Sequence, residues 1–325
     1  MLSVYVPKGA ALDVVVSTDG EALPQEAVWL DLLAPTPEED RRVEQLVGIA
    51  VPTREEMQEI EISSRLYAEN GARYMTASLM CRADTSEPIV TPVTFILAHH
   101  RLVTVRYDEP RPFAIVAAKL KRAAPAQVSG EAVLMDLLEA VIDRCADILE
   151  KVGLEVDDVS QHIFERGGAR SGTARNYRDI LITIGRKGDL TSKVRESLVS
   201  IQRLILFIAN EADGVRWQKE TRAELNTMQR DVAALSDHAS YLANKITFVL
   251  DAMLGVVNLE QNNIIKLFSV MAVVLMPPTL IASIYGMNFR HMPELEWPWG
   301  YPFALVLMVI AGLLPYLIFK AKKWL

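Results

Sequence analysis

Two stretches near the C-terminus carry no charged side chain. There is no Asp, Glu, Lys or Arg between Lys266 and Arg290, and none between Glu296 and Lys320. A helix rises about 1.5 Å per residue, so roughly 20 apolar residues cross a hydrocarbon core of about 30 Å. A single such segment could be the core helix of a soluble domain. Two in tandem, joined by a short loop, weaken that reading. The spans are placed at Leu267–Tyr285 and Tyr301–Phe319.

The flanking charges orient this hairpin. Lys266 precedes the first span, and Lys320, Lys322 and Lys323 follow the second. The connecting loop has Arg290 as its fixed positive charge, against Glu294 and Glu296. Positive charge stays in the cytosol, so residues 286–300 face outward and both termini are expected inside. Trp297 and Trp299 suit the outer interface and Trp324 the inner one. A single hairpin cannot surround a pore, so a channel built from it requires a ring of identical chains.

The remaining composition excludes more than it selects. The net charge of -7 disfavours nucleic acid as a partner. Cys81 and Cys145 sit in apolar stretches with no CxxC or Cys/His pairing, which argues against a zinc site or a disulfide framework. The segment MLSVYVPKGA lacks the basic-then-apolar pattern of a signal peptide. No Walker A, GxSxG, HExxH or GxGxxG pattern is present, and the five histidines form no ligand-spaced set, so an enzyme is not expected.

Ten prolines lie in residues 1–125 and none between Pro125 and Pro277. The long proline-free stretch reads as mostly helix. Before it, Val28–Leu32, Arg73–Cys81, Ile89–Ala98 and Arg101–Tyr107 read as strands, with His99-His100 as a tight turn. Thr36 opens a helix with Pro37 in its first turn, and Thr53 with Glu56 forms a capping box. The expected organisation is an α/β domain over 1–125 and a helical hairpin over 126–213, broken near glycines 167, 168 and 172. A stalk helix follows over 214–285, starting near Trp217 after Gly214 and running into the first span (267–285). A loop (286–300), the second span (301–319) and a basic tail (320–325) complete the chain. Met228, Val232, Leu235, Ala239, Leu242, Ile246, Val249, Met253 and Val256 step by four and three, a coiled-coil seam.

After the first span come Tyr285-Gly286-Met287-Asn288 and then Met292-Pro293-Glu294-Leu295, with Met276-Pro277-Pro278-Thr279 inside the span itself. Here the chain resembles the CorA family of magnesium and cobalt transporters, most strongly over Asn262–Leu325. The related ZntB group, which handles zinc, usually carries Val at the middle of the triplet, so Met287 favours CorA proper. The resemblance implies a homopentameric funnel in the bacterial inner membrane. An α+β cytosolic domain would lead through long coiled-coil-like helices to a two-helix transmembrane hairpin. It implies Mg2+ influx, with Co2+ and Ni2+ as further cargo, and closure when cytosolic Mg2+ binds acidic residues between subunits. Asp231, Asp237 and the Glu55–Glu61 cluster are unassigned candidates for that role. No cofactor is expected beyond Mg2+ as transported and regulatory ion.

For the site, the resemblance implies a selectivity ring from Gly286, Met287 and Asn288. Below it, Thr279 and Asn262 would contact hydrated ions and Met276 would form an apolar constriction. Asp251 would form a carboxylate ring at the cytosolic mouth, and Glu294 would draw cations to the outer one. Gly286 and Asn288 also suit a helix C-cap. The rival readings are a zinc transporter of the same fold and a membrane-tethered sensor without transport.

Overall fold

The computed structural model describes all residues except 10, 17–21, 123–127, 167–173, 212–218, 289–291, 294–295 and 323–325. The expected helix breaks at glycines 167, 168, 172 and 214, the helix start at Trp217, and Arg290, Glu294 and Trp324 lie outside the described residues. The chain divides into two compact units. One comprises Met1–Phe164 with Gly172–Val249, and the other Glu165–Ser171 with Leu250–Leu325.

The first unit holds a seven-stranded sheet. Its strands are β1 (Leu2–Lys8), β2 (Ala11–Val16), β3 (Trp29–Leu33), β4 (Leu66–Glu69), β5 (Ala72–Cys81), β6 (Ile89–Ala98) and β7 (Arg101–Arg106). The order is β2-β1-β3-β7-β6-β5-β4, with β3 and β7 parallel and the other pairs antiparallel. Four strands match the sequence reading to within a residue at each end. β1, β2 and β4 were not expected. β4 and β5 meet at Asn70-Gly71, both left-handed, the dipeptide a tight hairpin turn prefers. His99 and His100 are also left-handed (φ 48° and 62°), so the expected turn is present in a conformation uncommon for histidine.

β5 and β6 are buried along most of their length, because helices cover both sheet faces. α1 (Pro37–Val47) and α2 (Arg54–Met57) supply Val43, Val47 and Met57 against Leu30, Leu32, Val103 and Val105. Both open on a capping box, expected at Thr53 and additional at Thr36, where a helix start was expected. The Thr36 hydroxyl accepts from the Glu39 amide, and Glu39 accepts from the Thr36 amide at 2.9 Å. Thr53 and Glu56 repeat this pattern, yet α2 lasts only four residues. The short α3 (Ile62–Arg65) leads into β4. On the other face, Phe113 of α4 (Arg111–Arg122) packs beside Trp29 and Phe95.

The long helices follow as α5 (Gly130–Arg166), α6 (Ala174–Glu211), α7 (Lys219–Tyr285) and α8 (Gly300–Ala321). α7 has 67 residues, so its contour is on the order of 100 Å. The four-three seam exists, and much of it is filled from within the chain. Val232, Ala239, Leu242 and Val249 are at most 1% exposed. Gly153 of α5 faces Leu242, and Gly188 of α6 faces Ile246. Lys245 on α7 pairs with Asp157 on α5.

In the second unit, the C-terminal part of α7 and α8 each contain an 18-residue window of mean hydropathy 2.1 and 2.4. Of those windows 0% and 6% are buried, the opposite of a soluble core helix. The first expected span ends at the observed end of α7, Tyr285. The second expected span lies within α8.

Candidate functional site: the tip and the exposed stripe of α7

Every described site residue expected from the sequence lies in the second unit, on α7 or just beyond its end. α7 is unbroken from Asp251 to Tyr285 despite Pro277 and Pro278. In an ideal helix each residue turns about 100°. Asp251 and Asn262 are then about 20° apart, Asn262 and Met276 about 40°, and Met276 and Thr279 about 60°. The four share one broad face over about 42 Å of helix. All four side chains are exposed in the single chain, Met276 at 68%. A stripe of this kind faces lipid, water or another subunit.

The hydroxyl of Thr279 donates to the carbonyl of Leu275 at 2.7 Å. Its hydrogen is thereby used within the helix, and its free lone pairs point outward as acceptors. A water whose oxygen is bound to a cation presents only hydrogens. Thr279 thus offers its surroundings acceptor capacity and no free donor.

At the tip, Gly286 donates its N–H to Ala282 at 2.9 Å, and Met287 donates to Ile284 at 3.3 Å, tightening the last turn. Gly286 is not among the left-handed glycines, which among the described residues are Gly9, Gly48 and Gly71. Gly286 directly follows the end of α7, at the expected helix ending, without the left-handed conformation. A Cβ here would lie 3.1 Å from the Ala282 carbonyl oxygen, the acceptor of the Gly286 N–H. Met287 is 47% exposed, and Asn288 is exposed just beyond the helix. Trp299 caps α8, and Trp297 and Phe303 rings lie 5.8 Å apart. Glu294 lies outside the described residues.

The acidic candidates for a regulatory site fall in the first unit. Asp231 lines a cleft of about 1040 Å3 together with Glu131, Glu139, Glu220 and Glu224. Asp237 and the acids between Glu55 and Glu61 are exposed. Among the described residues, no three His, Cys, Asp or Glu side chains converge to hold a metal within one chain. The sequence reading missed Gly312 on α8. A Cβ there would lie 3.3 Å from Cγ of Pro278 and 3.5 Å from the carbonyl oxygen of Val274. A glycine isolated in an apolar helix gives no sequence signal of its partner.

Comparison with known proteins follows the same lines. A family model described as CorA-like Mg2+ transporter protein matches residues 24–322. The magnesium transport protein CorA of Pectobacterium atrosepticum is 34% identical over 325 residues, covering 100% of both chains. The protein of that name from Escherichia coli is 36% identical over 301 residues, 92% of each chain. In three dimensions, the complete structure of the CorA magnesium transporter from Methanocaldococcus jannaschii is similar with a TM-score of 0.77 at 18% identity. It covers 100% of this chain and 99% of that one. The full-length CmaX protein is similar at 0.66 and 14% identity, covering 100% and 98%.

Proposed function

Because the chain belongs to the family of CorA-like Mg2+ transporter proteins, we propose that it conducts Mg2+ through a ring of identical subunits, each contributing one α7–α8 hairpin. The observation that carries this reading is the bare apolar hairpin with Gly286, Met287 and Asn288 exposed at its turn. Mg2+ gives up water reluctantly, so a pore that passes it must recognise its hydration shell. Neutral oxygens can hydrogen-bond that shell without holding the ion too tightly to release it. The Asn288 side-chain carbonyl and the backbone of Gly286 and Met287 supply such oxygens at the outer end, and Glu294 raises the cation concentration there.

Deeper in, Thr279 presents its lone pairs to the hydrated ion, and Met276 narrows the path with an apolar side chain. Asn262 gives a second polar ring, and Asp251 a carboxylate ring at the cytosolic mouth. The exposed Leu254, Leu259, Ile264 and Ile265 on α7 fit contacts between neighbouring subunits. Five subunits form the ring, and it sits in the inner membrane with both termini in the cytosol. An inside-negative potential favours inward movement by about 4.6 kcal/mol per 100 mV for a divalent ion. Co2+ and Ni2+ use the same path. Cytosolic Mg2+ closes it by bridging acidic residues of adjacent subunits. No catalytic residue or cofactor is assigned.

The test is uptake into liposomes loaded with a magnesium-sensitive dye under an inside-negative potential, comparing the parent with Asn288→Ala. Influx in the parent, lost in a variant that still assembles, supports the outer ring. No influx from a correctly assembled parent overturns the channel reading. Equal influx from both removes Asn288 from its role.

A further inference from the structure

α8 bears on one face of α7. Its less exposed positions include Ala304, Met308 and Gly312, which recur every four residues, and those of α7 include Val270, Val274 and Pro278 at the same spacing. Gly312 lies against Pro278 and Val274. That level of α7 is unusual. Proline has no N–H, so Pro277 and Pro278 leave the carbonyls of Val273 and Val274 without their helical donors. Gly312 thus stands against a proline ring and a backbone carbonyl freed by that same proline. A Cβ there would press tightly on the proline ring and reach ordinary contact with the carbonyl, and a larger side chain would not fit without a shift.

Met276 is two residues from both Val274 and Pro278, which puts it about 160° around the helix from each. The α8 contact is therefore directly behind Met276. We propose that Gly312 is a positioning residue for transport. Without a side chain it lets α8 seat on the Pro277–Pro278 turn, and so sets how far Met276 projects on the opposite side of α7. The proposal rests on the channel reading, in which Met276 lines the constriction. A side chain at position 312 wedges α8 away from α7 or drives this level of α7 toward the pore axis. Either displacement changes the width at Met276 and leaves the Gly286–Asn288 tip, about two turns further along, in place.

The experiment is the liposome assay on Gly312→Ala, Gly312→Val, Pro278→Ala and the two corresponding double variants, each checked for assembly. Overpacking at position 312 is expected to lower the maximal rate about threefold for Ala and at least roughly tenfold for Val. The external Mg2+ giving half-maximal rate stays unchanged, because the outer ring is intact. Pro278→Ala removes the ring atoms that the new side chain meets and returns the Val274 carbonyl its donor. It is expected to recover most of the loss at position 312 in the rate per assembled protein, the quantity that a loss of stability alone leaves unchanged. If Gly312→Val does not assemble, Gly312→Ala with and without Pro278→Ala carries the test. Parent-like rates in the position-312 variants overturn the proposal, as does a loss that Pro278→Ala leaves uncorrected. A parent without influx overturns the channel reading instead.

Discussion

Arg106 on β7 grips Asp31 on the parallel strand β3 with two prongs, Nη2 to Oδ2 at 2.8 Å and Nε to Oδ1 at 3.0 Å. Their side chains are 10% and 5% exposed. Thr104 donates to Asp31 at 2.8 Å, and Trp29 donates to Thr104 at 3.0 Å. The guanidinium also lies over the Phe113 ring, 4.8 Å from its centroid. Breaking a buried pair strands a charge and typically costs about 3–5 kcal/mol, whereas replacing both partners with apolar groups is often far milder. Arg106→Leu should therefore destabilise the sheet strongly, and Asp31→Leu/Arg106→Leu less so. Denaturant unfolding of the detergent-solubilised protein, followed by Cys145 accessibility, checks this order. A double variant as unstable as the sum of the two single ones would contradict it.

Gly130 opens α5 where that helix meets the β6–β7 hairpin. Its N–H donates to the His100 carbonyl at 2.8 Å. A Cβ at this position would lie 2.4 Å from the Leu102 nitrogen and 2.5 Å from the Arg101 carbonyl carbon, both backbone atoms. Neither can yield without moving β7. Gly130→Ala is expected to cost several kcal/mol and to leave little folded protein. Yield and protease resistance read this directly, and a parent-like variant would show that β7 has slack.

The contrast between Gly130 and the hairpin shows what the sequence makes legible. Charge-free spans, capping boxes at Thr36 and Thr53, and the Gly-Met-Asn triplet are local patterns, and each can be read within a few residues. The spans and the central strands were placed on that basis. β1 and β2 form a local hairpin in which Lys8 pairs with Ala11 and Gly9 is left-handed, a turn marked by one glycine, while β1 also pairs with the distant β3. β4 was missed although Asn70-Gly71 marks its turn, since four residues show too little alternation. The reasons for glycine at 130 and 312 are atoms of distant segments, so neither could be inferred from neighbours. Gly286 is read for a helix ending, and it directly follows Tyr285, the last residue of α7.

Burial pushes the thiols of Cys81 and Cys145 up to about 12 from an ordinary 9.0, and Asp108 adds to the effect at Cys81. Both should resist a thiolate-directed alkylating reagent at pH 8 while the protein is folded, and react once it is denatured. The same shift makes stability fall with rising pH. Below about 9 both states hold the proton and nothing changes. Between about 9 and 12 the unfolded chain releases protons that the folded chain keeps, so unfolding gains ground. The melting temperature in detergent should drop across that window, and drop less in Cys81→Ala/Cys145→Ala. Rapid labelling of the folded protein at pH 8 would contradict the burial argument.

Thr279 offers a finer test of how the pore recognises its cargo. Its hydroxyl hydrogen is committed to Leu275 at 2.7 Å, so on the proposed channel reading what it offers the ion path is an acceptor. Thr279→Ser keeps both the donation and the lone pairs, and uptake should stay close to the parent's. Thr279→Val keeps the shape and removes the oxygen. A neutral hydrogen bond contributes about 0.5–1.5 kcal/mol, so the maximal rate should fall by a factor of roughly two to ten. The variant does not disturb the helix, because the Leu275 carbonyl retains its backbone donor. The chain must therefore assemble normally, and the loss must appear for hydrated Mg2+ under an inside-negative potential. Equal rates for Val, Ser and parent would mean that the ion passes this level without touching Thr279, and the polar contacts would then be confined to the outer ring at Asn288 and the deeper one at Asn262.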